Sequence, residues 1–479
     1  MATSLLDALQ TKDSFTTNGM STNSSSLNHC VDLFFEIGAM RGQDKTRLIN
    51  SFTKAFGENQ LIAMRLLFWV RDIRGGAGER QIFKDILKYL ATNYTETIRK
   101  NIDLIPEFGR FDDLFVFVGT PLEKDALKII TKAIGDGNSL ASKWAPRLNT
   151  KNVEEKLNAI ALRKHLGVSY GDYRKMLSKT SNTVEQLMCN KDWGKIEYDK
   201  LPSKAISNYM KAFSKNDFEG FKKYLDSVDK GESKINTGAI YPYDIIRNLK
   251  EGNVQGANAQ WLALPNYMED NHERVLPMVD VSPSMETLIG NNSNITCLDV
   301  SISLGLYISE RNIGPFKDAF ITFHESPSLE VLKGSLNDRY NQISSSSWGG
   351  STNLESAFNL ILNKAKESNV PKEEMPTMIL ILSDMEFDCA TEDLFNPTAQ
   401  EMINNMFLES GYQTPKIVYW NIQARSSKNK PVKFDENGTS LVSGLSPTIL
   451  KNILSGNEMT PYFMMMSVVD SKRYSKIRV

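Results

Sequence analysis

The chain lacks several features that would settle its class at once. It has four cysteines, Cys30, Cys189, Cys297 and Cys389, with no C-x-x-C pair among them, and four scattered histidines, His29, His165, His272 and His324. That spacing excludes a structural zinc site of the usual kind and a disulfide-built scaffold, and few cysteines suit a reducing compartment. No stretch approaches the ~18 apolar residues that a membrane span requires. The N-terminal residues carry neither the basic start nor the apolar run of a secretory signal. The expectation is an intracellular, cytoplasmic protein with no membrane partner. A surplus of one charge is missing too. Lys and Arg number 56 and Asp and Glu 57, a net charge of −1, which excludes a histone-like binder judged on net charge while leaving room for local basic patches. No Ser/His/Asp order is convincing, and His324 follows an apolar run with no nucleophile near it in sequence, so the reading is a non-enzyme.

What is present is ample core material, 41% hydrophobic residues in 479, enough for two or more domains. Charge divides unevenly along the chain. Residues 1–274 carry 39 Lys and Arg against 34 Asp and Glu, net +5, and the remainder 17 against 23, net −6. The apolar pattern changes at the same place. In the first part Leu48, Phe52, Ala55 and Phe56, then Leu61, Met64, Leu67 and Phe68, then Ile82, Ile86, Leu87 and Leu90 recur at helical spacing, split by turns at Gly57, Gly75-Gly76, Pro106, Gly109 and Pro121. Successive amphipathic helices with short turns predict stacked helix pairs of the solenoid, HEAT-like type, although no clean sequence period is found. In the second part short apolar strands (Val275–Asp280, Ala319–Phe323, Thr377–Ser383, Lys416–Ile422) alternate with helices (Thr296–Glu310, Asn353–Lys366, Ala399–Leu408, Pro447–Leu454), the pattern of a parallel sheet covered on both faces. The fold class expected is mainly α plus α/β. The boundaries are a flexible segment, rich in Ser, Thr and Asn, at 1–28, a helical-repeat domain at 29–274 and a Rossmann-like domain at 275–479. Arg425–Lys430 reads as an exposed loop.

Two apolar strands end on an aspartate, and the first continues as Asp280-Val281-Ser282-Pro283-Ser284. In an open α/β sheet ligands bind outside the carboxyl ends of the strands, where alternate residues of D-x-S-x-S turn one carboxylate and two hydroxyls to one point. Thr352, in the loop Trp348-Gly349-Gly350-Ser351-Thr352-Asn353 before a helix, and Asp384, at the end of another strand, stand at comparable places. The candidate metal ligands are therefore Asp280, Ser282, Ser284, Thr352 and Asp384. All are hard oxygen donors, which suits Mg²⁺, Mn²⁺ or Ca²⁺ rather than zinc or copper.

The N-terminal part has its own conspicuous run, Arg71–Arg80 (RDIRGGAGER). No Lys-Ser/Thr follows the glycines, so it is not a phosphate-binding P-loop. The glycines read as a helix-ending turn, and Arg71, Arg74 and Arg80 as partners for Asp72, Glu79 or Asp85 at a helix corner. Basic residues interleave with aromatics further on, at Lys143-Trp144, Arg147, Arg163, Lys164, Tyr170, Tyr173, Arg174 and Lys175. Cations contact phosphates and aromatic faces stack on unpaired bases. By resemblance to TROVE proteins of the Ro autoantigen type, the candidate RNA-binding residues are Arg71, Arg74, Arg80, Lys143, Arg147, Arg163, Lys164, Arg174 and Lys175, set against the plainer reading of solvated helix faces and core aromatics.

The order of Asp280, Ser282, Ser284, Thr352 and Asp384 resembles the metal-ion-dependent adhesion site (MIDAS) of von Willebrand factor A (vWA) domains over about residues 275–479. Pro283 departs from it, standing where many members have Gly, which fixes φ and removes one N–H. The helical array, R-D-x-R-G-G-x-G-E-R and then this domain resemble an uncharacterised family found in bacteria, eukaryotes and phages. Thr17-Asn18-Gly19, Lys143–Arg147, Tyr173-Arg174-Lys175, Val418–Ile422 and Ser443–Ser446 match it as well. That family is similar in turn to TROVE proteins of the Ro autoantigen type. The resemblance implies a ring of helical repeats closed by a vWA domain, single-stranded or small structured RNA as partner, and a metal whose coordination an acidic group of a protein partner completes. The function expected is non-enzymatic RNA binding. The alternative is a metal-dependent protein–protein module, or a structural component of a larger assembly such as a phage particle, in host cytoplasm or virion.

Overall fold

The computed structural model describes residues 14–479 apart from 182, 234, 239, 270, 291–293, 325, 346–350, 390–395 and 456–457. The protein is helix-rich, with a six-stranded, mostly parallel sheet in its C-terminal half. It forms two compact units. One takes the described part of Met1–Ile62 together with Ile240–Ser471, and the other takes Ala63–Ala239 together with Lys472–Val479.

In the first unit a two-residue antiparallel pair, β1 (Ser14–Phe15) and β2 (Ser21–Thr22), precedes the main strands. These are β3 (Val275–Asp280), β4 (Ala319–Phe323), β5 (Leu329–Val331), β6 (Met378–Ser383), β7 (Lys416–Asn421) and β8 (Thr439–Ser443), in the spatial order β5-β4-β3-β6-β7-β8. All neighbours run parallel except β4 and β5. The order reverses between β3 and β6, which makes their carboxyl ends the topological switch point of a doubly wound sheet. β3 and β6 are buried along their whole length, hence their unbroken apolar runs. Reciprocal side-chain caps fix three helix starts, Thr296 with Asp299, Ser335 with Asp338 and Thr398 with Glu401. The helix Cys297–Arg311 lies close on β3. A Cβ at Gly305 would meet Val279 Cγ2 at 2.6 Å, so only glycine permits that approach.

The helices His29–Ile37 and Pro461–Val469 both pack on β8. The Ser443 hydroxyl donates to the Phe34 carbonyl at 2.6 Å and accepts from Gly38 N–H at 3.1 Å. Helices before residue 63 and after 239 therefore belong with the sheet, so the linear division at 274/275 is not the division into compact units. The physical reason is that the apolar face of His29–Ile37 is needed to cover β8. The expectation of a flexible segment at 1–28 is also corrected for its described part. Thr16, Met20, Ser21, Thr22 and Ser26 are buried, and Asn23 pairs with the Lys430 main chain at 3.1 and 2.9 Å. Residues 1–13 lie outside the described residues.

Among its described residues the second unit is helix and turn, with one isolated β-bridge between Pro202 and Asn236. Phe68, Phe83, Phe108 and Tyr474 form one aromatic core, with centroids 5.3–5.7 Å apart. Tyr198, Phe213, Phe221 and Tyr224 form another. The final residues are integral to it. Ile477 is buried, Arg473 forms a two-pronged ion pair with Asp72, and Asn101 exchanges hydrogen bonds with the Arg478 main chain at 2.6 and 2.9 Å. The RGGAG turn ends the helix Gln60–Arg71 as expected. A Cβ at Gly76 would lie 1.9 Å from the Trp69 carbonyl oxygen, so no other residue fits.

Candidate metal centre and cationic cluster

The carboxyl ends of β3 and β6 bring four of the five candidate ligands together. Asp280 is fully buried. One of its oxygens accepts from Ser282 N–H at 2.9 Å and the other from the Ser383 hydroxyl at 2.5 Å. Ser282 and Ser284 share a hydrogen bond of 3.0 Å between their hydroxyls. Asp384 is buried across the switch point from Asp280. Burial pushes the Asp280 carboxyl up to about 7, and the nearby Asp384 charge adds to the effect. The same two causes, burial first, raise the Cys297 thiol to about 12. Thr352 is buried, and its carbonyl accepts from Asp388 N–H at 3.1 Å. The glycines before it, Gly349 and Gly350, lie outside the described residues with Trp348.

Backbone geometry turns the chain sharply after Asp384. Met385 has φ +67°, a left-handed conformation unusual for a non-glycine residue. Its N–H donates to the Ser383 hydroxyl at 3.0 Å, and its carbonyl accepts from Asn429 Nδ2 at 2.7 Å, which holds the turn. The Thr17-Asn18-Gly19 segment lines the next stretch. Thr17 N–H donates to Glu386 Oε2 at 2.6 Å, Asn18 Nδ2 to the Glu386 carbonyl at 2.8 Å, and the Thr16 hydroxyl to the Phe387 carbonyl at 2.6 Å.

Sequence reasoning missed one participant. Arg425 Nε donates to Asp384 Oδ2 at 2.6 Å. Its Nη2 donates to the Ser284 carbonyl and, at 2.8 Å, to the Thr287 hydroxyl. The guanidinium thus bridges the two loops that carry the candidate ligands. The expectation of an exposed Arg425–Lys430 loop is corrected with it, because Lys430 is buried against Glu36 at 2.5 Å. The donor set of two carboxylates and two hydroxyls fits a hard divalent cation by chemistry. Its one conflict is the cation already paired with Asp384. Among the described residues no cluster of three or more His, Cys, Asp or Glu is placed to hold a metal ion, at this site or elsewhere. His324 is buried, and its Nδ1 accepts from Ser326 N–H at 3.2 Å.

The candidate RNA-binding residues divide into committed and open ones. Arg71 is buried with both Nε and Nη2 at 2.7 Å from Asp113, not from the nearer acids of its own turn. Lys143 pairs with Glu185 at 2.9 Å, Arg147 donates to the Ser142 carbonyl at 3.3 Å and Arg163 to the Val168 carbonyl at 3.0 Å. Tyr173 is core, with its hydroxyl on the Pro146 carbonyl at 2.8 Å. Arg74, Lys164, Arg174, Lys175 and Tyr170 are exposed.

Arg80 belongs to a larger group. With Lys84, Arg110 and Arg71 it surrounds Asp112 and Asp113, four cations on two carboxylates. Burial lowers the Lys84 ammonium, and the neighbouring Arg80 lowers it further. The Arg110 guanidinium carbon also lies over Trp144, 3.7 Å from the ring centroid, with Lys143 Nζ at 5.5 Å. Lys84, Arg110 and this arrangement around Trp144 were not singled out from the sequence, because contacts 28–42 residues apart join them.

Comparison with known proteins follows the same two-part organisation. Residues 16–134 and 125–275 match the domain of unknown function DUF2828, and residues 274–475 match the domain of unknown function DUF7788. The family models thus meet at 274/275, although the compact units divide elsewhere. The chain is 32% identical over 514 residues to "Uncharacterized protein L728" of Acanthamoeba polyphaga mimivirus, an alignment covering 95% of this chain and 87% of the relative. On this evidence the chain belongs to the DUF2828 family, with a DUF7788 region as its C-terminal part.

Proposed function

We propose that the chain is a non-enzymatic RNA-binding protein of Ro-like architecture. In this reading the helical unit, with HEAT-like stacking of helix pairs, holds single-stranded or small structured RNA. The observation that carries it is charge segregation. Counted over the compact units, the helical unit bears 35 Lys and Arg against 23 Asp and Glu, net +12, and the sheet unit 21 against 34, net −13. The linear halves differed only as +5 and −6. Phosphate contacts by such a surface supply sequence-tolerant affinity that falls steeply with salt. The open residues Arg74, Lys164, Arg174 and Lys175, with the Arg80–Lys84–Arg110 group, are the phosphate contacts. Exposed Tyr170 is the stacking candidate. The test is the 260/280 nm ratio of natively purified protein before and after RNase, with anisotropy binding to labelled single-stranded RNA at about 50 mM salt, where such contacts are strongest. A protein-like ratio together with no binding at low salt overturns the reading.

A second reading rests on a different observation, the two carboxylates and two serine hydroxyls drawn to the switch point. It takes the sheet unit as a vWA-like domain with a MIDAS-type site, in which Asp280, Ser282, Ser284, Thr352 and Asp384 hold Mg²⁺, Mn²⁺ or Ca²⁺. The bound cation would take a carboxylate from an acidic protein partner. Asp280→Ala should abolish stabilisation by Mg²⁺ in thermal unfolding. An identical response to Mg²⁺ and EDTA in both proteins removes the site. The mimivirus relative favours a viral setting, with the protein in host cytoplasm or virion, and leaves a structural role in a particle as the alternative.

A further inference from the structure

We propose that Arg425 is the resident counter-ion of the switch-point site, and that a divalent cation binds there only by displacing its guanidinium. The inference rests on the metal-site reading above and adds to it a built-in competitor. Asp384 is buried, and a buried carboxylate needs a positive partner close by. Arg425 supplies it at 2.6 Å, while its other end holds Thr287 at 2.8 Å and the Ser284 carbonyl. The guanidinium therefore occupies the span between the Ser282-Ser284 loop and Asp384, which is the span a metal would have to fill. The guanidinium opposes a second cation there, because at such separations their repulsion in a partly buried site is several times its value in water.

The surroundings permit the exchange. The main chain on either side of Arg425 is fixed independently of its side chain. Arg47 Nη1 donates to the Ala424 and Arg425 carbonyls at 2.7 and 2.8 Å, and Ala424 N–H donates to the Ala39 carbonyl at 3.0 Å. Further along, the Lys430 ammonium is buried on Glu36. The Arg425 side chain itself keeps 29% exposure. It can swing into solvent about its own torsions while the loop stays in place. The exchange leaves Asp384 neutralised in both states. It also frees the guanidinium from Asp384 only when the metal is bound, which ties the availability of a cationic group to metal occupancy.

The experiment is calorimetric titration of the full chain with MnCl₂, comparing wild type, R425Q, T287V and R425Q/D384N. With the competitor removed, R425Q should bind Mn²⁺ at least about tenfold more tightly than wild type, since a nearby unit charge is lost. T287V, which removes one outer hydrogen bond of the arginine and the 2.7 Å bond of the Thr287 hydroxyl to the Ser284 carbonyl, should fall between them. R425Q/D384N should not bind, showing that the gain uses Asp384. Equal affinity in wild type and R425Q overturns the competition and leaves the metal site standing. Absence of binding in every variant overturns both. Should R425Q lose its folded circular dichroism spectrum, T287V carries the test, and affinity equal to wild type then overturns the proposal.

Discussion

The two units of this protein solve the same problem of burial with opposite electrostatics. The sheet unit, net −13, leaves most of its Lys and Arg exposed or half-buried and buries Lys430. Lys430 lies on Glu36 with both side chains almost fully buried, and Arg47 and Arg425 bind main-chain carbonyls. The helical unit carries net +12. It buries carboxylates, Asp72 and Asp113, and leaves most of its cations at the surface. Both units bury ion pairs, Lys430 with Glu36 in one and Arg71 with Asp113 in the other, and the net sign of each is left to its more exposed side chains. The comparison teaches that a chain of net charge −1 can hold two strongly and oppositely charged bodies, invisible to whole-chain arithmetic.

The most direct way to break the comparison is to cut the chain at its linear boundary. A fragment of residues 275–479 should fail to fold, because β8 then loses the helix His29–Ile37 and the sheet loses the helices between 240 and 274. Soluble yield and circular dichroism read this, and a folded monomeric fragment would show that the discontinuous unit is wrong. Next in size is Lys430→Ala. It leaves Glu36 buried with the weaker contacts of Arg47 and the Ser51 hydroxyl, each at 3.4 Å, and should cost about 3 kcal/mol in urea unfolding, as broken buried pairs do. Glu36→Gln with Lys430→Met should cost less than the single change.

A sharper electrostatic test reverses three surface cations of the helical unit, Lys164, Arg174 and Lys175, to glutamate. RNA affinity should fall at least about tenfold and the slope of log affinity against log salt should shrink by about 2, from ~0.7 per lost phosphate contact. Reversing Lys433 and Lys451 in the sheet unit should leave both unchanged. A uniform response would deny that the two units differ in function. The smallest effect expected is chemical. Burial raises the Cys30 and Cys297 thiols to about 12, so their thiolate fraction at about pH 8 is negligible. Iodoacetamide should label exposed Cys189 and Cys389 in native protein, and Cys30 and Cys297 only after unfolding, as peptide mass spectrometry would show.

The parts that sequence made legible are those with a single local cause. β3 and β6 are unbroken apolar runs closed by aspartate, so their position and their acids could be read directly. β8 could not. Its residues Thr439, Ser440 and Ser443 are polar and yet buried, and the partner of Ser443 lies in the helix His29–Ile37. The Ser, Thr and Asn content of residues 14–28 also misled. The same short polar side chains that mark disorder are those that bond to main-chain groups at close range, and here they bond to residues 386–387 and 429–430. Arg425 stood in a polar run and gave no signal, because its partner Asp384 is 41 residues away. Arg71 was visible, but its partner was misassigned for the same reason.

The helix His29–Ile37 meets β8 across 405 residues of chain, and Asp72 meets Tyr474 across 402. At ribosomal speeds of about 5–20 residues per second, roughly 20–80 s separate the synthesis of these partners. Throughout that interval the apolar face made for β8 has nothing to cover it, and the aromatic core around Phe108 lacks Tyr474. Neither unit can close while the ribosome still holds the last few dozen residues. The nascent chain therefore exposes apolar surface through most of its synthesis, and a truncated transcript yields two unfinished bodies rather than one complete domain.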